Sequence, residues 1–318
     1  MEYLEVERGK ALNTAKNYDH YLQTFASFAK SHAIESPAKI DEELIKKFRL
    51  ALNRQNLSKS TQNYYLISLR SFLKYLARKG SKTLSPEKIE LIKTPERQIT
   101  FLEQDELEQI LKAPDLKTIQ GIRDRAILAL FFSTGLRVSE LCNLKKVDIN
   151  LQKSEFSVRG KGGKVRVVFI DENARESLKR YLAGRDDKNE YLFISYGHTN
   201  KPLAVSRELL AITPRSVQRM IRKYAKAGGI TKHVSPHTMR HSFATDLLIG
   251  GADLRSVQEM LGHKSVTTTQ IYTHVTNKHL QEVHRAFHGL RQNVSPEAAH
   301  PSEKKKPLGG NAQRQNNS

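Results

Sequence analysis

One cysteine, Cys142, stands alone among 318 residues, so no intrachain disulfide can form, which suits the cytoplasm. It lies in an apolar helical pattern and reads as core packing. No apolar run approaches the roughly 20 residues needed to span a bilayer, no signal peptide opens the chain, and no basic amphipathic helix carries an aromatic face. Membranes are thereby set aside as partners. Acids are scarce: 33 Asp and Glu face 53 Lys and Arg, giving a formal net charge of +20 and a pI near 9.9. Such an excess points to nucleic acid, whose phosphates supply affinity independent of base sequence. No internal repeat is visible. The 38% hydrophobic content is enough for a soluble chain of this length to bury the cores of two domains.

From residue 1 to 94 the patterns are helical alone. Tyr18, Leu22, Phe25, Phe28 and Ala29 repeat at helical spacing, Asp41 opens a helix with Leu44, Ile45, Phe48 and Leu52, and a third begins near Ser58 or Ser60 and ends at Gly80. Lys59, Arg70, Lys74, Arg78 and Lys79 leave cationic positions around that third helix, as a bundle gripping phosphates needs and as any solvated face also allows. Residues 95–100 hold proline and charges without periodicity and are assigned as a linker. A second domain is expected over 101–293. Its helices near Glu103 to Leu111 and Ile122 to Phe132 lead to a break at Thr134-Gly135, after which Arg137 opens a helix of Val138, Leu141 and Leu144 beside the most apolar stretch of the chain. That setting favours an anchored arginine over a solvated one, with Glu140 placed to orient it. Between Ser154 and Ile170 the period shifts to two, predicting a β-hairpin with Lys161 near its tip among Gly160, Gly162 and Gly163. A P-loop is excluded there because Lys164 is followed by Val165 rather than Ser or Thr. Helices follow near Glu172 to Leu182 and Thr213 to Ala227, the latter carrying Arg215, Arg219, Arg222, Lys223 and Lys226. Residues 294–318 lose periodicity and read as a disordered basic tail.

Polar chemistry concentrates between Ser235 and His274. Ser235 and Pro236 are an N-cap and first helical residue, and the helix they open is predicted to run to about Ile249, stopped by Gly250 and Gly251. His237 and Arg240, three residues apart, share a face in its first turns, where backbone N–H groups and the positive dipole end favour an anion such as phosphate. Asp253 caps a second helix with Leu254, Val257, Met260 and Leu261, ended by Gly262 just before His263, and Ser265 can cap a third that carries Tyr272. Tyrosine can act as a nucleophile but, with an ordinary pKa near 10, needs cations and imidazoles to lose its proton. Singly, each of these residues usually packs or hydrogen-bonds. A zinc site at His237 and His241 is disfavoured, since no glutamate follows His237 and Arg240 would set a positive charge beside the metal.

Taken together, TGLRVSEL, GKGGK, PHTMRHSFAT, LGH and IYTH, in this order and spacing, make the chain resemble the tyrosine recombinases, or phage integrase family, over about residues 1–290. Within the family it is most similar to the Xer-type enzymes, being compact, with the helix LSKSTQNYYLISLRSFLKYL and no long arm-binding extension. The resemblance implies a mainly α fold with a small β-hairpin, in which an all-helical, SAM-like core-binding domain precedes the catalytic domain. It also implies a site-specific recombinase that joins DNA strands through a 3′-phosphotyrosyl intermediate. Tyr272 would be the nucleophile, Arg137 and Arg240 would hold the non-bridging oxygens, and Lys161 would protonate the leaving 5′-oxygen. His237 would manage the tyrosine proton and His263 would donate to the phosphate. One phosphate ester is exchanged for another, so neither metal nor nucleotide cofactor is expected. The implied partner is double-stranded DNA, bound by a homo-tetramer on two sites. A second recombinase and a DNA translocase are further candidates, and the implied place is the cytoplasm, with the nucleoid. Chromosome or plasmid dimer resolution is the leading role, with a mobile-element integrase as the alternative. A type IB topoisomerase-like enzyme and a non-catalytic DNA-binding protein rank lower. Leu280, Val283, Phe287 and Leu290 form an apolar stripe on a helix expected over 277–290, which fits docking into a neighbouring protomer. The stretch 201–213 and the tail inherit no role from the resemblance.

Overall fold

Short polar side chains at the right offsets start the helices. Asp41 accepts the Leu44 N–H at 2.8 Å, Ser58 that of Thr61 at 3.1 Å and Asp171 that of Ala174 at 2.7 Å, each satisfying a donor that the first helical turn leaves orphaned. A computed structural model of the chain describes residues 2–94, 99–160, 163–197, 202, 204–205 and 208–262. It divides into two units, Met1–Arg97 and Gln98–Ser318.

The first unit is helical, with α1 (Leu12–Ser31), α2 (Glu42–Arg54) and α3 (Lys59–Arg78). Their apolar stripes meet in a core of Phe25, Leu44, Phe48, Leu52, Leu66, Leu69 and Leu73, where Phe25 and Phe48 pack edge to face at 5.0 Å. Of the five cations that the sequence places around α3, Lys59, Lys74, Arg78 and Lys79 are exposed and Arg70 is half-buried. Asn63 on α3 exchanges two 2.8 Å hydrogen bonds with the backbone of Ile92, fixing the chain at that point.

In the second unit α4 (Gln104–Lys112) is followed by α5 (Ile119–Thr134), α6 (Val138–Cys142), β1 (Glu155–Arg159), β2 (Val165–Phe169) and α7 (Glu172–Ala183). After these come two short strands, β3 (Ala204–Val205) and β4 (Glu208–Leu209), then α8 (Pro214–Ala227), α9 (Pro236–Ile249) and α10 (Leu254–Leu261). Helix α5 is the hub. Ala126 to Phe131 are all buried, because this run is apolar on every face and is surrounded by neighbouring elements. Cys142 is buried, and burial pushes its thiol up to about 12, which leaves it inert packing. The fold is thus mainly α with the expected antiparallel hairpin, in register Phe156↔Val168 and Val158↔Arg166.

Two local outcomes differ from the sequence reading. Helix α6 stops at Cys142 instead of reaching Leu144, and the 201–213 stretch, given no element by periodicity, includes the β3–β4 pair. The stretch is held by backbone bonds such as Ser195 N–H to Leu210 O at 2.8 Å and Ile212 N–H to Phe193 O at 3.0 Å. Two-residue strands are too short to print a period of two. The helix expected at 277–290 and the tail lie outside the described residues.

Candidate active site

Helix α9 begins as its sequence dictates: Ser235 accepts the Thr238 N–H at 3.2 Å, Pro236 occupies the first turn, and Gly250 closes the far end. Four residues after the proline, Arg240 is buried rather than solvated, at 5% exposure. Its guanidinium donates to the carbonyl oxygens of Gly135 and Leu261, bridging the C-terminal ends of α5 and α10. Gly135 makes that approach possible. It caps α5 in the left-handed conformation, at φ 58°, and a Cβ there would come within 2.4 Å of the Phe243 ring.

Helix α10 starts on Asp253 and ends on Gly262, again left-handed at φ 64°. The last carbonyls of a helix have no partner within it and carry the negative end of its dipole. Here three successive carbonyls take three different arginines. Met260 O accepts from Arg166 Nε at 3.0 Å, Leu261 O from Arg240, and Gly262 O from Arg137 Nη2 at 3.3 Å.

Glu140 is the one carboxylate among them. Arg137 is the N-cap of α6, and Glu140, three residues on, accepts both the Arg137 backbone N–H at 2.9 Å and its Nη1 at 2.9 Å. Arg166 from β2 grips both oxygens of the same carboxylate, at 2.9 and 2.8 Å. Burial alone would raise this carboxyl. The Arg166 bonds and charge, with the Arg137 backbone and guanidinium bonds, outweigh it and bring Glu140 down to about 2. Two guanidiniums therefore share one carboxylate, so the group retains positive charge while Arg137, 29% exposed, keeps a path to solvent.

The histidines of α9 differ. His237 is exposed near the helix start, whereas His241, one turn on, is partly buried. Burial, then the positive charge of His237 and Arg240, depresses the His241 imidazole to about 4, so it is neutral at pH 7. No group of three or more His, Cys, Asp or Glu side chains among the described residues is placed to hold a metal.

Of the six residues singled out from the sequence, Arg137 and Arg240 meet at the end of α10, and His237 stands on the helix that carries Arg240. Lys161, His263 and Tyr272 lie outside the described residues. Arg166 was missed. Its strand, KVRVVFI, is apolar enough on both faces to hide which face is inward. In fact Val165, Val167 and Phe169 point out, and Arg166 lies on the Val168 side. A charge within an otherwise apolar strand was the available signal.

The second unit thus clusters three arginines at helix ends, two of them on one carboxylate. Residues 100–279 match the Phage integrase family, and residues 1–80 match the phage integrase N-terminal SAM-like domain. The chain is 39% identical over 291 residues to the tyrosine recombinase XerC of Thermodesulfovibrio yellowstonii, spanning 91% of this chain and 95% of that protein. It is 36% identical over 297 residues to the tyrosine recombinase XerD of Listeria innocua, spanning 91% and 96%. Among solved structures, the XerH site-specific recombinase, bound to a palindromic difH substrate in a post-cleavage complex, matches at 26% identity with a TM-score of 0.69. That match covers 87% of this chain and 80% of XerH. The chain belongs to the phage integrase family of tyrosine recombinases and is most like its Xer-type site-specific recombinases.

Proposed function

We propose that the protein cuts and rejoins double-stranded DNA by two transesterifications through Tyr272. The Tyr272 oxygen attacks a backbone phosphorus, the bond from phosphorus to the 5′-oxygen breaks, and a 3′-phosphotyrosyl link forms. The freed 5′-hydroxyl of a partner duplex then attacks that link and releases the tyrosine. Arg137 and Arg240 bind the non-bridging oxygens, on which charge grows as phosphorus becomes five-coordinate; guanidinium suits this because it never deprotonates and matches the oxygen geometry. Lys161 gives a proton to the leaving oxygen, His237 takes the tyrosine proton, and His263 donates to the phosphate. The observation that carries this reading is the excess of positive charge where Arg137 and Arg166 share the single carboxylate of Glu140 at the end of α10, beside Arg240.

The reading extends to assembly. Residues 1–94 and 101–293, joined by the linker 95–100, grip the duplex together, and a tetramer on two sites exchanges strands, with the helix over 277–290 docking between protomers. The similarity to relatives named both XerC and XerD supports dimer resolution of chromosomes or plasmids, in the cytoplasm, with room for a second recombinase. The experiment is covalent trapping on a nicked suicide substrate. Wild type forms a protein–DNA adduct, and Tyr272→Phe binds DNA equally but forms none, since only the hydroxyl is lost. An adduct from the Phe variant would move the nucleophile elsewhere.

A further inference from the structure

We infer that Arg166 is a positioning residue for strand cleavage: it holds Glu140 and the end of α10 so that Glu140 aligns Arg137 without sequestering it. The inference rests on the proposed role of Arg137 as a phosphate-holding residue.

A carboxylate next to an arginine ordinarily pairs with it fork to fork, which orients the guanidinium but neutralises it and occupies its donors. Arg137 escapes this fate. Arg166 takes the bidentate position on Glu140, so Arg137 touches the carboxylate side chain to side chain through Nη1 alone. Its Nη2 turns instead to Gly262 O. Only two of the five N–H donors of Arg137 are thus engaged, and the remainder stay available for an anion.

Arg166 also ties distant parts of the chain together. It stands on β2, the second strand of the hairpin, and its Nε reaches Met260 O at the end of α10. The side chain is 10% exposed and Glu140 is 5% exposed, so the pair is shielded and its geometry is fixed by packing rather than averaged by solvent. Gly262 completes the fit, because a Cβ there would lie 3.0 Å from Arg166 Cδ. Removing Arg166 while Glu140 remains would leave the carboxylate with Arg137 as its sole cationic partner among the described residues. Arg137 would then close onto it, and its charge would be lost to the phosphate.

The test is single-turnover cleavage of a suicide substrate at saturating protein, with DNA affinity and thermal melting measured in parallel. Arg166→Ala should slow cleavage by about tenfold or more, within the range seen for coupled neighbours in one network, with little change in affinity. Adding Glu140→Gln to that variant should recover part of the rate, because the neutral amide no longer captures Arg137. A purely structural role for Arg166 predicts the opposite, a double variant slower than Arg166→Ala. That result, or a wild-type rate in Arg166→Ala, overturns the inference. Should Arg166→Ala fail to fold, Arg166→Lys retains the charge and the stem but lacks the bidentate fork; a folded Lys variant that cleaves at the wild-type rate overturns the inference, and one that is slowed supports it. Arg137→Ala, run alongside, separates the two claims. If it cleaves normally, the phosphate-holding role itself falls; if it is slowed while Arg166→Ala is not, only the inference about Arg166 falls.

Discussion

Among the described residues of the catalytic unit, one buried arginine–carboxylate network centres on Asp124 and another on Glu140. In the first, Arg123 donates Nε and Nη2 to Asp124 Oδ1 at 2.9 and 2.6 Å and Nη1 to Ile194 O at 2.8 Å, while the Tyr224 hydroxyl donates to Asp124 Oδ2 at 2.9 Å. One cation meets one anion, with exposures of 5% and 2%, and the Tyr196 ring lies 5.2 Å from the guanidinium carbon. Nothing there is left over for a ligand. The second network has two cations, Arg137 and Arg166, to one anion, and Arg137 is partly exposed. Burial and hydrogen bonding are common to both; an unmatched charge with a route to solvent is what separates a binding site from a structural ion pair.

The sharpest way to break this contrast is to truncate one arginine from each network. Arg137→Ala leaves Glu140 still gripped by Arg166, so the fold should persist, yet cleavage should fall by about a hundredfold or more, the usual loss when a transition-state donor is removed. Arg123→Ala strands a buried carboxylate and should cost about 3–5 kcal/mol of stability, with cleavage per folded molecule almost unchanged. Melting curves paired with suicide-substrate rates check both. If Arg137→Ala loses stability and Arg123→Ala loses rate, the assignment of the two networks is reversed.

A smaller effect is expected from pH. The folded pKa of His241 is depressed to about 4 from an ordinary 6.5, so the unfolded chain binds the extra proton between these values. The stability from keeping this imidazole neutral is fully present above pH 6.5 and is lost as pH falls toward 4, on the order of 3 kcal/mol. Glu140 adds a second loss at lower pH, between 4.5 and about 2. Melting followed from pH 7 to 4 should therefore decline in wild type and flatten in His241→Gln. Parallel curves would show that His241 is not the titrating group.

Much of this was legible before any coordinates. Caps and stops such as Ser235 with Gly250, or Asp253 with Gly262, are local chemistry, and they placed α9 and α10 to the residue. Even Glu140 as the orienting partner of Arg137 follows from a three-residue helical step. What the sequence hid was long-range. Arg166 meets Glu140 across 26 positions and Met260 across 94, and nothing periodic encodes such a meeting. Arg240 likewise reads as a surface residue of a first turn. Its burial depends on Gly135, more than a hundred residues earlier, presenting a carbonyl.

The smallest predicted effect distinguishes two charged helix faces of the same unit. On α7 two of the three cations are matched within the helix: Arg175 pairs with Glu172, and Lys179 with Glu176 at 2.6 Å. Helix α8 has no acid in its sequence. Val217, Met220, Ile221 and Tyr224 turn inward, while Arg215, Arg219, Arg222, Lys223 and Lys226 are exposed and make no ion pair among the described residues. Unpaired cations condense onto a phosphate backbone and release its counterions, whereas paired ones must first give up their partners. Arg219→Ala should therefore weaken DNA binding modestly and lower the slope of log affinity against log salt by about one, the contribution of a single phosphate contact. Lys179→Ala should leave the slope unchanged. Titrations of a labelled duplex across a range of salt concentrations read both. Equal slopes for wild type and Arg219→Ala would place α8 away from the DNA and return its charge to the category of a solvated face.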